Sequence, residues 1–311
     1  MSTRTAATRT YLTLVLASTF LQGSSFVSTK MVLADMAPLW TASLRFLLAA
    51  LSLAPFAWRI MHAQGVRLRG LPWPQLLALG ALQTAGVMAF LNIGLTATTP
   101  STAAILMASN PLLVVILARV FLGERITAPA LCGLCLAFAG VVVCIGGTGG
   151  TGAGRSGIGH GEVLVMLASS CWAVSTVLNK RFALPLSPWV VTFWQMLAGA
   201  VMLAIVAGLS GQPFTLPATP ARWAAFLWLA IPASTGAMGL WFAALRIGGS
   251  VQTSGFLFLC PLFAALIAFG LTRQLPHWHE VAGGAAIGVG LVVMARGQRM
   301  PVAGRGELRR A

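Results

Sequence analysis

Long runs of apolar residues dominate the chain, and short clusters of Gly, Pro and charged residues separate them. A helix needs about 20 apolar residues to cross the roughly 30 Å hydrocarbon core of a bilayer. The runs therefore predict ten membrane-spanning helices, at residues 11–31, 38–58, 73–95, 100–121, 128–146, 160–181, 187–209, 221–245, 250–271 and 278–296. Because no connection between them could hold a soluble domain, we expect an all-α integral membrane protein.

Composition and charge place the chain in a membrane and orient it. Hydrophobic residues make up 58% and charged residues 8%, against about 25% charged residues in an ordinary soluble domain. In a soluble protein the net charge of +15 would indicate a nucleic-acid partner, but here the basic residues lie almost entirely in loops and tails. With the N-terminus inside, fifteen basic residues fall on the inner side and four on the outer side. The positive-inside rule then predicts that both termini are cytoplasmic, and we interpret the basic residues as a topology signal and expect no nucleic-acid partner.

The chain contains an internal repeat, because a shift of 150 residues aligns its two halves without a gap. The matched residues include Lys30 and Lys180, Pro38 and Pro188, Trp73 and Trp223, Met88 and Met238, Pro111 and Pro261, and Gly140 and Gly290. We predict two five-helix units, residues 1–150 and residues 151–311, the second ending in a basic cytoplasmic tail. Since five is odd, the second unit crosses the membrane upside down. Inverted repeats are typical of secondary transporters, which bind substrate near the midplane between the halves.

Repeated prolines and glycines predict where the helices bend and where they pack. Pro111 and Pro261 interrupt helices four and nine at equivalent positions. A proline removes a backbone hydrogen bond and kinks a helix, so the pair predicts two hinges in a transporter that bends. Two inherited kinks that only shape packing are the alternative. The glycines of helices five and ten, Gly140 and Gly290 among them, predict close helix packing.

Two segments resemble a known family. Helices one and two resemble those of EamA-type proteins in the drug/metabolite transporter superfamily, in the stretch LQGSSFVSTKMVLADMAPLWTASLRFLLAAL. Helices four and five do so in ASNPLLVVILARVFLGERITAPALCGLCLAFAGVVV. The similarity covers about residues 10–296 and implies a ten-helix exporter of metabolites in a bacterial inner membrane, of a type that exports aromatic or other neutral amino acids. Two departures stand out: Gln22 replaces the usual Trp, and Arg273-Gln274 replaces the Gly-Glu pair in the second half.

Polar side chains near mid-span predict the lining of a cavity, because such groups are unfavourable in hydrocarbon unless they face protein or water. The amides at this depth are Gln22, Gln83, Asn110 and Gln195. By helical spacing, Ser25 and Phe26 lie on the same face as Gln22. For Ser25, a hydrogen bond to a backbone carbonyl is the better interpretation.

Arg45 is a charged residue well inside a predicted span, and its side chain could point in either of two directions. Its side chain could extend to the outer lipid headgroups. Alternatively it faces the cavity, where the guanidinium would bind a substrate carboxylate with two hydrogen bonds. Its equivalent in the second half is Gln195.

Trp172, Trp194 and Trp241 lie inside spans, where an indole N–H needs a partner. Trp172 is the repeat equivalent of Gln22, and with Phe26 it could form an aromatic wall for a substrate. Ordinary core packing is equally open for Trp241. We include all three tryptophans among the candidate substrate-binding residues.

The remaining chemistry points to transport. The five acidic residues and four His lie near helix ends or in tails, so we expect no enzyme, no metal, no cofactor and no titratable group at depth. One cation, several amides and an aromatic wall fit a zwitterion with an apolar side chain. We therefore predict a secondary transporter that exports neutral or aromatic amino acids by alternating access, as a facilitator or with coupling that the sequence does not locate. The alternatives are a multidrug, sugar-phosphate or purine-type carrier of the same superfamily, or a channel; a monomer would suffice.

Overall fold

The computed structural model describes residues 2–122, 128–146, 159–244, 247, 256–273 and 277–297. These residues form helices and connections, and no strand occurs among them. Parts of the sequence predictions lie outside the described residues: positions 123–127 of the family-like segment, the glycine-rich stretch at 147–158 between the halves, residues 250–255 of the predicted ninth span, Gln274, and the basic tail at 298–311.

We number the helices in chain order. The first half contains α1 (Ser2–Val32), α2 (Pro38–Ala63), α3 (Trp73–Ala97), α4 (Pro100–Ala108 and Asn110–Leu122) and α5 (Ala128–Gly146). The second half contains α6 (His160–Phe182), α7 (Pro188–Leu209), α8 (Pro220–Ala244), α9 (Leu259–Thr272) and α10 (Trp278–Gly297). Within the described part, seven helices (α1–α4 and α6–α8) are long and apolar enough to cross a membrane. Shorter apolar stretches lie at Leu131–Val143 and Leu259–Leu271, so the chain is a multi-pass membrane protein.

Local sequence explains where several helices begin. Helices α2 and α7 start at the equivalent prolines Pro38 and Pro188, whose missing N–H needs no partner in a first turn. Helix α4 starts after Thr99, whose side chain accepts a hydrogen bond from the backbone N–H of Thr102 at 3.0 Å. This N-cap satisfies one of the backbone donors that the first helical turn leaves free.

The surface is that of a protein dissolved in lipid. Large apolar side chains face outward, with Val120, Phe138 and Leu209 exposed by 68%, 61% and 84%. Hydroxyl groups such as those of Thr19 and Ser169 are fully buried. This arrangement suits a bilayer, where only polar groups must be kept away from the solvent.

Contacts between the halves follow the internal repeat. The second helices of the two halves, α2 and α7, pack together, as do the fifth helices, α5 and α10. Helix α1 packs against α8 and α9, and its equivalent α6 packs against α3 and α4. The halves therefore meet through a pseudo-twofold set of helix pairs.

The pairing of α5 with α10 confirms the predicted close packing for Gly140 and Gly290, but not for Gly288, which has no described atom of another helix close by. A Cβ atom on Gly290 would lie 2.5 Å from the carbonyl oxygen of Gly133. The equivalent Cβ on Gly140 would lie 2.7 Å from the carbonyl oxygen of Gly283. Only glycine lets two backbones approach so closely, as at other small-residue interfaces between membrane helices.

Two π-helical segments were not expected from the sequence. One covers Gly80–Gly86 within α3, and the other covers Ile231–Gly236 within α8, at the equivalent position of the repeat. In α8 the cause includes Pro232, which cannot donate to the carbonyl four residues before it. Such segments are rare and occur frequently at functional sites.

Candidate functional site

A cavity of about 310 Å³ lies between the two halves, bounded by α1–α4, α6–α8 and the start of α9. The lining side chains on which the argument depends are Gln22, Ser25, Phe26, Arg45, Phe46, Gln83, Thr84, Met88, Asn110, Pro111, Trp172, Gln195, Ser234, Met238 and Trp241. The structure thus brings together nine of the ten candidate binding residues. Trp194 is the exception.

Arg45 faces the cavity and does not extend to the protein surface. Only 6% of the residue is exposed. Its Nε donates a hydrogen bond to Ser234 Oγ at 2.9 Å, and its Nη1 lies 3.9 Å from Met88 Sδ. The guanidinium carbon lies 4.9 Å from the centre of the Phe46 ring. No carboxylate in the described part of the chain bonds this cation, which leaves it available for an anionic group.

The amides of the cavity are held by neighbouring helices. Asn110 Nδ2 donates to the carbonyl of Ser169 in α6 at 2.8 Å. Gln83 Oε1 in α3 accepts a hydrogen bond from Ser175 Oγ in α6. These hydrogen bonds cross between the halves and leave the other polar atom of each amide for a ligand.

The first helix presents a polar and an aromatic residue side by side. Gln22 Nε2 donates to Ser18 Oγ at 3.1 Å, and Ser18 Oγ donates to the carbonyl of Ala237 in α8 at 2.8 Å. Ser25 Oγ donates to the carbonyl of Gln22 at 2.7 Å, so its bond to a backbone carbonyl is confirmed. Phe26 lines the same side of the cavity.

The three interior tryptophans separate into two groups. Trp172 and Trp241 line the cavity. Trp194 packs in an aromatic cluster on the other side of α7, 4.9 Å from both the Trp73 ring and the Phe193 ring. Its indole N–H is buried without a hydrogen-bond partner in the described part of the chain. The structure therefore removes Trp194 from the candidate binding residues, because its side chain points away from the cavity.

The two repeat-equivalent prolines do not kink continuous helices. Pro111 lies two residues after the break in α4 at Ser109, and it lines the cavity. Pro261 stands in the first turn of α9, behind a 3₁₀ turn at Phe256–Phe258, and lines a separate crevice against α10. Each proline thus begins a helical segment, where its missing N–H is tolerated.

Two carboxylates expected near helix ends are buried and paired with threonines. Glu162 and Glu280 are each 4% exposed, in the first turns of α6 and α10. Thr98 donates to Glu162 at 2.7 Å, and Thr102 donates to Glu280 at 2.6 Å. Glu162 ties the α3–α4 connection to the second half, and Glu280 ties the first turn of α4 to it; neither carboxylate lines the cavity.

Sequence reasoning missed two kinds of lining residue. Met88 and Met238 are apolar, but they are identical across the repeat, and that identity could have identified them. Ser234 is a small polar residue within α8 and the equivalent of Thr84, which lines the cavity from α3. Its depth within the span was the signal that could have found it.

Comparison with known proteins supports a transporter. The uncharacterized transporter YyaM of Bacillus subtilis is 27% identical over 282 residues, which cover 90% of this chain and 91% of the relative. An uncharacterized transporter of Archaeoglobus fulgidus is 30% identical over 276 residues, or 89% of this chain and 93% of the relative. A solved crystal structure covers 94% of this chain and 98% of its own at a TM-score of 0.63 and 23% identity, which shows the fold.

The family match repeats along the chain. The EamA-like transporter family matches residues 9–146 and again residues 159–296. The two ranges are offset by 150 residues (159 − 9 and 296 − 146), the same shift that aligns the two halves of the sequence. The chain therefore belongs to the EamA-like transporter family, within the drug/metabolite transporter superfamily.

Proposed function

We propose that this protein exports neutral or aromatic amino acids across the bacterial inner membrane by alternating access. In this proposal the chain crosses the membrane ten times as two inverted five-helix units, residues 1–150 and 151–311, with both termini in the cytoplasm. The observation that carries it is the buried Arg45 in a cavity between the halves, with no carboxylate partner among the described residues. A buried cation without a counter-ion is strongly disfavoured unless a ligand supplies the opposite charge.

The rest of the lining suits a small zwitterion. Amides of Gln22, Asn110 and Gln195 can bind an ammonium through oxygen or a carboxylate through nitrogen. Phe26 and Trp172 offer aromatic surface to an apolar side chain. The cavity volume of about 310 Å³ lies at the low end of the roughly 300–1,000 Å³ found for small-molecule sites.

The architecture supports alternating access. The cavity lies where the two repeats meet, so a rocking motion of one half against the other would expose it to either side. The break in α4 at Ser109 and the equivalent Pro111 and Pro261 are the proposed hinges. A monomer is sufficient, because both halves belong to one chain.

The lining also bears on energy coupling. Among the described residues, no carboxylate or His lines the cavity. Proton-coupled carriers rely on such groups at depth. We therefore propose that the protein works as a facilitator, driven by the gradient of its substrate.

The test is uptake of labelled Phe, Trp, Met and Thr into liposomes that contain the purified protein, without an ion gradient. We expect saturable uptake that Gln22→Ala and Trp172→Ala reduce. Trp58→Ala is the matched control, because Trp58 is 63% exposed on α2 and does not line the cavity. Transport of a cationic dye or a sugar phosphate with no amino-acid uptake would reject the substrate proposal and retain the carrier.

A further inference from the structure

Ser234 lies in the π-helical segment of α8 and is fixed by its own helix. It is 7% exposed, and its hydroxyl donates to the carbonyl of Leu229, five residues earlier, at 2.8 Å. With the proton committed to that carbonyl, the hydroxyl oxygen is left as an acceptor that faces the cavity.

This hydroxyl oxygen accepts a hydrogen bond from the Nε edge of the Arg45 guanidinium, an edge that a substrate carboxylate does not need. Nε of Arg45 donates to Ser234 Oγ at 2.9 Å. A guanidinium can bind a carboxylate through its Nε edge or through its two terminal nitrogens. Since Ser234 occupies Nε, the terminal nitrogens remain, and the neighbour of Nη1 is the weakly accepting sulfur of Met88 at 3.9 Å.

The equivalent position in the other half shows that this arrangement is specific to one side of the cavity. Gln195 stands in place of Arg45, and Thr84 stands in place of Ser234. Both line the same cavity, so the repeat supplies two similar polar pairs and only one carries a charge. Among the described lining residues Arg45 is therefore the one cation, which suits a substrate with a single carboxylate.

We infer that Ser234 is a positioning residue that fixes the guanidinium plane of Arg45, so that the two terminal nitrogens form the carboxylate-binding edge of the cavity. This inference rests on the proposed function, because it concerns how the same site selects substrates that bear a carboxylate. Ser234 acts through Arg45, and the π-helical segment sets the position from which it does so.

The experiment measures initial rates of phenylalanine uptake into proteoliposomes containing Ser234→Ala, Ser234→Cys or Ser234→Thr. Ser234→Ala keeps the charge of Arg45 and loses only the hydrogen bond that orients it. The KM for phenylalanine should therefore rise by roughly three- to tenfold, less than on loss of the guanidinium itself, and the maximal rate should stay within about twofold. Ser234→Cys should behave like Ser234→Ala, since a thiol is a weak acceptor of similar size. Ser234→Thr should restore the wild-type KM, because Thr84 already occupies the equivalent π-helical position.

Ser43→Ala is the matched control. Ser43 is a buried serine on α2 whose hydroxyl donates to the carbonyl of Ala200 in α7 at 2.8 Å, and it does not line the cavity. Its variant should keep the wild-type KM. An unchanged KM in both Ser234→Ala and Ser234→Cys, or a fall in maximal rate at constant KM, would overturn the positioning role alone. A wild-type protein that takes up no amino acid would overturn the proposed function and this inference with it.

Discussion

The contact between α5 and α10 predicts that two glycines on one helix respond oppositely to the same substitution. In Gly290→Ala the new Cβ would lie 2.5 Å from the Gly133 carbonyl oxygen and 2.6 Å from the Ala137 backbone nitrogen. These are backbone atoms, so relief requires the helices to separate, and such overpacking costs about 1–3 kcal/mol. In Gly288→Ala the new Cβ would have no described atom of another helix within 4 Å, and the gain in helix propensity, about 1 kcal/mol, stands alone.

Both variants gain the same helix propensity. The difference between their free energies of unfolding therefore measures the cost of the close contact at Gly290 alone. Gly290→Ala should therefore be about 1–3 kcal/mol less stable than Gly288→Ala. This corresponds to a midpoint lower by roughly 2–12 °C at about 2–4 °C per kcal/mol. The assay is thermal unfolding of the purified protein in detergent, followed by tryptophan fluorescence and by recovery of monodisperse protein. A Gly290→Ala midpoint equal to or above that of Gly288→Ala would refute the close packing of α5 and α10.

Three further predictions concern the cavity. Arg45→Gln removes hydrogen bonds to a charged group that contribute about 1.5–3 kcal/mol, so the KM for phenylalanine uptake should rise at least about tenfold; an unchanged KM would reject Arg45 as the carboxylate anchor. Phenylalanine uptake without a pH gradient should vary less than about twofold between about pH 6 and 8, since no carboxylate or His is among the described lining residues; a tenfold variation would show that a titrating group takes part in transport and would contradict the facilitator proposal. Asn110→Leu breaks the 2.8 Å hydrogen bond to the Ser169 carbonyl, and its thermal midpoint should fall by about 1–2 °C for a loss of about 0.6 kcal/mol; a midpoint above wild type would contradict that contact.

Depth in the membrane was predictable from sequence, because a polar group in hydrocarbon must face protein or water. That reasoning selected polar residues from five different helices, Gln22 and Gln83 among them, and the structure collects them around one cavity. The internal repeat was equally accessible, since identical residues at one constant offset need no structural knowledge. Both signals depend on position along the chain alone.

The side of a helix that faces the cavity was harder to predict. Trp194 and Gln195 are neighbours in sequence, but successive residues of an α-helix point about 100° apart. Only Gln195 reaches the cavity, and Trp194 packs against Trp73 instead. A helix that is apolar on nearly all sides carries no periodic signal to distinguish these faces.

The π-helical segments were unpredictable for a different reason. Their cause is a local change of hydrogen-bond register, and only Pro232 marks it in the sequence. The equivalent segment at Gly80–Gly86 contains no proline. Ser234 therefore acquires its role from backbone geometry and from its contact with Arg45, which is remote in sequence.

The central claim is that one substrate site, between two halves, is exposed alternately to each side of the membrane. Its most direct test is exchange: initial uptake of labelled phenylalanine into proteoliposomes preloaded with unlabelled phenylalanine, compared with empty proteoliposomes. Alternating access around a single site predicts saturable uptake that is several-fold faster in the preloaded vesicles. Uptake that rises linearly with concentration and is unaffected by preloading would contradict the claim and indicate a channel.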